Sequence, residues 1–137
     1  MKTNKWQTRL CLVSYHVSLR GGGNGAHISE ATIKLTLGSD TFYDVADGNG
    51  PVHALDCAIR KALSVRPLLR DKLSTMQLLD YRVRVSNPDH QGAAAKTKVC
   101  ITFSQNGNSW KTSSSSTDVI EASLSALLKG FQRVLGM

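Results

Sequence analysis

The sequence predicts an α+β fold made of two tandem βββα units, with antiparallel sheets packed against helices. Three observations carry this. Val13-Ser-Tyr-His-Val17 and Leu79-Asp-Tyr-Arg-Val83 are near copies 66 residues apart, and Ile33-Lys-Leu-Thr-Leu37 lies the same step before Val99-Cys-Ile-Thr-Phe103. A fixed offset over two separate segments marks an internal duplication. In each half, strand-like runs precede one helix and do not alternate with helices, which separates α+β from parallel α/β chains. Finally, 137 residues with 41% hydrophobic content suit one domain with a real core. The repeats span about 9–64 and 78–136, joined by a connector over 65–77. Each is too small to bury its own apolar face, so the two are expected to cover one another, with a ligand pocket at their seam.

The elements follow in order. From Cys11 to Leu19 the odd positions Cys11, Val13, Tyr15, Val17 and Leu19 are apolar, and Ser14, His16 and Ser18 lie between them. A period of two is a half-buried strand, here with the odd positions inward. A glycine-rich loop, Gly21 to Gly25, leads to a second alternating run with Ile33, Leu35 and Leu37 inward. Gly38-Ser-Asp40 turns the chain into a third strand, Thr41 to Ala46. Pro51 suits the first position of a helix, where its missing N–H is not needed. Val52, Leu55, Ile59, Ala62 and Leu63 then mark one helical face, with Arg60 and Lys61 favourably near the C-terminal end.

After a short helix from Pro67, the second half repeats the plan. Leu79, Tyr81, Val83 and Val85 are expected inward, with Asp80, Arg82 and Arg84 outward. Asn87 to Gly92 is a loop, Lys98 to Phe103 a strand, Asn106-Gly107 a hairpin turn and Ser109 to Ser113 a third strand. Asp118 and Glu121 have capping-box spacing. Ile120, Leu124, Leu127, Leu128, Phe131 and Leu135 form the face of the last helix.

Several function classes lose ground on composition and spacing. No apolar run approaches membrane-spanning length, and the first twenty residues lack a signal-peptide layout. Cys11, Cys57 and Cys100 have no paired spacing and read as reduced packing cysteines of a cytoplasmic protein. His16, His27, His53 and His90 are isolated, so no metal set is expected. The serine run has no nucleophile-elbow context. Net charge is +7, which keeps a basic RNA-binding domain as a rival. Yet the densest basic stretch, Arg60 to Lys72, carries no aromatic recognition motif and reads as solvated surface.

One segment points to a ligand. Asp47-Gly-Asn-Gly-Pro51 runs from a strand into a helix start, where unsatisfied N–H groups and the positive end of the dipole welcome a carboxylate or phosphate. It fits neither a Walker nor a Rossmann pattern, and a plain turn is the competing reading. Ser113 to Asp118 opens the second helix in the same way.

The run Asp47-Gly-Asn-Gly-Pro-Val-His-Ala-Leu-Asp-Cys-Ala-Ile-Arg-Lys-Ala-Leu63 resembles the Gly-Asn-Gly-Pro-Val-x-Ala-Leu helix start in the C-terminal regulatory domain of the 2-isopropylmalate synthase and citramalate synthase family. Leu78-Leu-Asp-Tyr-Arg-Val-Arg-Val85 is similar to that domain's Leu-x-Asp-Tyr-x-Val strand. Trp110 and Ser116-Thr-Asp-Val-Ile-Glu-Ala-Ser123 resemble its last motif. The three fall in order and cover about residues 9 to 135.

The resemblance implies a domain that forms a homodimer and binds an end-product amino acid as feedback inhibitor. It implies a parent enzyme that condenses acetyl-CoA with an α-keto acid on a metal-dependent barrel. A barrel takes roughly 250 residues, so none is expected here, and neither a catalytic residue nor a cofactor is assigned to this chain. The chain then reads as an excised or stand-alone regulatory part.

Carried over by position, the effector contacts are Gly48, Gly50 and Val52 at the glycine loop, and Leu78, Tyr81 and Val85 on the first strand of the second half. Ala93 and Ala95 follow, and then Val119 at the last helix. His53, Ser114 and Ser115 depart from the family pattern. Independently, an amino acid needs an apolar pocket, donors for its carboxylate such as the N–H groups near Gly50, and acceptors for its ammonium. Plain core packing is the alternative for Leu78, Val85 and Val119. The effector is expected to be a branched-chain amino acid, isoleucine or leucine, with isoleucine preferred because the wording of the motifs is nearer to citramalate synthases. A dimerisation module with a degenerate site is the other reading kept open.

Overall fold

The structure, a computed structural model, describes residues 9–25, 27–85 and 95–136. Its elements are β1 (Leu10–Gly21), β2 (His27–Leu37), β3 (Asp40–Gly48), α1 (Pro51–Leu63), α2 (Pro67–Ser74), β4 (Met76–Val85), β5 (Thr97–Gln105), β6 (Asn108–Ser116) and α3 (Val119–Val134). The strands form two antiparallel three-stranded sheets in the orders β1-β2-β3 and β4-β5-β6. The fold is therefore α+β with two βββα units. Two compact units result, one running to Leu73 and including Leu135, the other spanning Ser74–Val134.

In the first unit, β2 is central and buries Ala31, Ile33 and Leu35 beneath α1. The alternation of these residues with Thr32, Lys34 and Thr36 produces this one-sided burial. The helix contributes Ala54, Leu55, Ala58, Ile59, Ala62 and Leu63, all buried. Each large aliphatic side chain here stabilises the fold by roughly 1.5–3 kcal/mol relative to exposure. In the second unit β5 buries Val99, Ile101 and Phe103, and α3 lies on β5 and β6. Phe103 stacks on Trp110 with ring centroids 5.7 Å apart, and the Arg133 guanidinium sits 5.1 Å above the indole.

Both first strands carry a β-bulge at the same place. The register of β1 on β2 slips between Leu12 and Ser14, and that of β4 on β5 between Leu78 and Asp80. The bulge corrects the expected inward set. Leu10, Leu12, Tyr15, Val17 and Leu19 share the helix-side face of the first sheet, while Cys11 pairs with Thr36 on the outer face and Val13 occupies the bulge. In the second sheet Leu78 pairs with Phe103 on the helix side, and Leu79 sits in the bulge, 57% exposed. One extra residue switches the phase of the alternation, which a period-two pattern hides.

The repeat step is 66 for the first strands and 68 afterwards. Tyr15 faces Ile33 and Tyr81 faces Ile101, so Ile33 corresponds to Ile101 and not to Val99. A slip of two residues leaves every side chain on its proper face, so the sequence pattern alone could not expose it. The turns keep the 68 step. Gly38 has φ 64°, and Asn106-Gly107 has φ 51° and 84°, the two left-handed residues of a type I′ hairpin.

The dense basic stretch is largely neutralised. Arg60 pairs with Asp56 at 3.1 Å and donates to the Leu73 carbonyl at 3.1 Å. Lys61 pairs with Asp44 at 3.4 Å, and Arg66 with Asp40. These contacts tie α1 and α2 to their own unit.

Candidate functional site

The glycine loop forms where β3 meets α1. A Cβ on Gly48 would lie 2.3 Å from the Ala54 backbone nitrogen, so the strand end and the first helical turn touch backbone to backbone. Only glycine permits that approach. Two histidines hold the loop. The Asn49 N–H donates to His53 Nδ1 at 2.9 Å, and His27 Nε2 donates to the Asn49 carbonyl at 3.1 Å. Since His53 Nδ1 accepts, its proton sits on Nε2.

Gly50 caps α1. Its φ of −165° is ordinary extended backbone, and a Cβ there would meet nothing within 4 Å. Gly50 thus faces open space, and the constrained glycine is Gly48. The first intrahelical bond runs from Ala54 N–H to the Gly50 carbonyl at 2.9 Å. The N–H groups of Val52 and His53 precede it and have no intrahelical acceptor. Among the described residues no side chain caps this helix start, and no acidic residue lies in its first turn. A 13-residue helix therefore presents donors and a positive dipole end beside the half-buried Val52.

The start of α3 is built in the opposite way. Asp118 Oδ1 accepts from Ile120 N–H at 2.8 Å and, more loosely, from Glu121 N–H at 3.4 Å. The Asp118 N–H donates to Ser116 Oγ at 3.1 Å. The expected capping box is thus half present, with Ser116 taking the return contact assigned to Glu121.

Of the other predicted contacts, Tyr81 reaches the first turns of this helix, of which Val119 is the first residue. The Ser123 hydroxyl donates to the Val119 carbonyl at 2.6 Å, so the Tyr81 hydroxyl, 2.7 Å from Ser123 Oγ, is the donor in that contact. Tyr81 is half-buried and fastens β4 to α3. Val119 is 39% exposed, Val85 is 55% exposed, Leu78 is half-buried opposite Phe103, and Ala95 is buried. Ala93 lies outside the described residues. Gly48, Gly50 and Val52 belong to the first unit, and Leu78, Tyr81, Val85, Ala95 and Val119 to the second.

Sequence reasoning missed His27 and Ser123. Nothing in the pattern pairs His27 with a residue 22 positions away, whereas Ser123 closes the last of the three motifs and was open to notice.

Each unit also leaves apolar surface on its first strand. Leu19 is 62% exposed and Val85 55%, and they stand one repeat step apart. The helices lie chiefly over the second and third strands, which leaves these positions uncovered. Among the described residues no three His, Cys, Asp or Glu side chains stand together as a metal site, and no helix is long and apolar enough to cross a membrane. The free thiol of Cys57 is pushed above its usual range by burial and then by the Asp56 carboxylate, with Arg60 pulling the other way.

Comparison with known proteins agrees with this layout. The profile of the LeuA allosteric (dimerisation) domain matches residues 2–135. An (R)-citramalate synthase from Geobacter sulfurreducens is 42% identical over 101 residues, covering 74% of this chain and 18% of that enzyme. One from Synechocystis is 37% identical over 102 residues, again 74% and 18%. A 2-isopropylmalate synthase from Geobacillus is 34% identical over 105 residues, 77% of the chain and 18% of the enzyme. The match thus spans about a fifth of the length of these curated relatives.

Proposed function

The chain belongs to the LeuA allosteric (dimerisation) domain family, and on that footing we propose that it binds a branched-chain amino acid as feedback effector for an acetyl-CoA-dependent α-keto-acid-condensing synthase. The observation that carries the reading is the uncapped start of α1. Its donors and dipole suit the carboxylate of a free amino acid, and Gly50 leaves the approach open. Val52 offers apolar contact beside it. Leu78, Tyr81, Val85, Ala95 and Val119, with Ala93, are the contacts proposed from the second unit. The exposed Leu19 and Val85 support self-association as a homodimer. The parent enzyme's chemistry is assigned to a barrel carried elsewhere in that enzyme, and the domain's part is regulation in the cytoplasm.

Isoleucine is favoured over leucine, because the citramalate synthases of Geobacter and Synechocystis are more similar to the chain than the Geobacillus 2-isopropylmalate synthase. Calorimetry with isoleucine, leucine and valine, and lysine as control, tests the reading. A ligand at a hundredfold excess over Kd stabilises the native state by about 2.7 kcal/mol, so the melting temperature rises with the effector and not with lysine. No heat and no shift with any branched-chain amino acid at millimolar concentration would leave a dimerisation module with a degenerate site. Sedimentation equilibrium tests self-association, and a monodisperse monomer at high concentration sinks the homodimer.

A further inference from the structure

We propose that the outer face of the second sheet binds a small multivalent phosphate anion of the diphosphate class. This face is turned away from α3. Its central strand carries the short side chains Cys100 and Thr102, and long cations rise on both sides of them. Arg82 stands opposite Cys100, Lys111 opposite Thr102, and Arg84 opposite Lys98. The result is a bowl with a cavity of about 290 Å³ lined by all four cations. That volume sits at the small end of ligand pockets and suits a compact ion.

The charge balance of the bowl is uneven. Asp80 lines it too, but its carboxylate is held by Arg82 at 2.7 Å. Arg84, Lys98 and Lys111 make no ion pair among the described residues. Arg84 and Lys98 face each other directly across the ladder, and like charges so placed destabilise a sheet. Nothing in the packing of the unit requires the pair, since both side chains point away from the core. A bound polyanion removes the repulsion and turns it into attraction. Two phosphate groups match the site better than one, because adjacent strands lie about 4.8 Å apart and alternate residues on one strand about 7 Å apart. The cations therefore converge from separate points. Arg supplies a bidentate fork for phosphate, and Lys a point charge.

The outer face of the first sheet is the built-in control. Arg20 and Lys34 are accompanied there by Glu30 and Asp47, so the face carries no such surplus. The bowl is lined by residues of the second unit and shares none with the glycine loop, so this inference does not depend on the amino-acid reading.

The test is calorimetric titration of the full chain with sodium pyrophosphate at low ionic strength. The expected result is saturable binding, tighter than that of orthophosphate. Arg84→Ser with Lys98→Ser raises Kd by about tenfold or more, the equivalent of one good charged contact. Arg20→Ser with Lys34→Ser removes the same charge and changes Kd by no more than about twofold, as expected of surface charges remote from the site. Circular dichroism melts confirm that both variants fold. A parallel titration with ADP separates a free diphosphate from a nucleotide-borne one, and tighter binding of either supports the site. Equal loss in the two double variants overturns the proposal, as does an absence of saturable heat at millimolar pyrophosphate. Tighter binding of a polyglutamate peptide or of a single-stranded oligonucleotide than of pyrophosphate also overturns it.

Discussion

The two units share a backbone plan and differ in what their side chains do with it. Bulge, ladder register, hairpin and helix start recur at matching positions. At the end of the third strand the first unit has Gly48 and the second Ser116. At the helix cap the first has Gly50 and the second Asp118. Under the helix, Leu35 and Ala62 of the first stand where the second has Phe103 and Gly130. The comparison teaches that the duplicated fold tolerates either solution at each position, provided that neighbouring positions change together. The first unit keeps its helix start bare and packed tightly on the strand. The second closes its own helix start with a carboxylate.

The sharpest way to break the comparison is Gly48→Ala. The new Cβ would meet the Ala54 backbone nitrogen at 2.3 Å, and backbone cannot rotate aside as a flexible side chain can. A loss of about 3 kcal/mol is expected, the upper end of overpacking costs. The matching position in the second unit already holds a side chain, so Ser116→Gly is expected to cost only about 1 kcal/mol, mainly for the lost acceptor of the Asp118 N–H. Chemical denaturation of the two variants measures the difference, and similar losses in both would mean that the two strand–helix junctions are alike after all.

Next in size is Gly130→Ala. An exposed helical glycine normally gains about 1 kcal/mol on conversion to alanine. Here the Cβ would fall 2.2 Å from the Phe103 ring, and that ring is held against Trp110. The expected sign is reversed, a loss of about 1–3 kcal/mol. Adding Phe103→Leu copies the Leu35 and Ala62 pair of the first unit and recovers part of that loss. A double variant no more stable than Gly130→Ala would show that the two cores are not interchangeable at this position.

These particulars also show what the sequence made legible. The two βββα units, the turns and both helices were visible, because alternation and helical spacing follow directly from which face is buried. The bulges were not, since one added residue in an exposed, apolar-rich strand leaves a plausible pattern in either phase. The repeat step of the later elements was read two residues short for the related reason that a two-residue slip preserves every face. For the site, the glycine loop is legible from its residues, but its spacing does not tell the crowded Gly48 from the open Gly50. Which glycine is hemmed in depends on where the helix backbone passes, and that is a tertiary fact. The basic stretch from Arg60 to Lys72 drew attention by its density, yet much of it is paired within its own unit. The unpaired cations come from three strands and gather only when the sheet forms.

The smallest effect on stability carries the most about function. Gly50→Asp copies the Asp118 cap onto the first unit. Since φ at Gly50 is ordinary extended backbone and the space around it is open, the change brings no strain. A carboxylate there can accept from the first-turn N–H groups, as Asp118 does from Ile120 and Glu121. Replacing an N-cap glycine in this way is expected to gain only a few tenths of a kcal/mol. The same carboxylate would occupy the donors proposed for the effector and repel the effector's own. The melting temperature without ligand should therefore hold or rise slightly, while the isoleucine-induced shift should disappear. The reverse change, Asp118→Ala, should cost about 1 kcal/mol and leave the isoleucine shift in place, because that cap serves its own helix. If Gly50→Asp is stable and still shifts with isoleucine as the parent chain does, the bare helix start is only an economy of the fold, and the carboxylate must be held somewhere else.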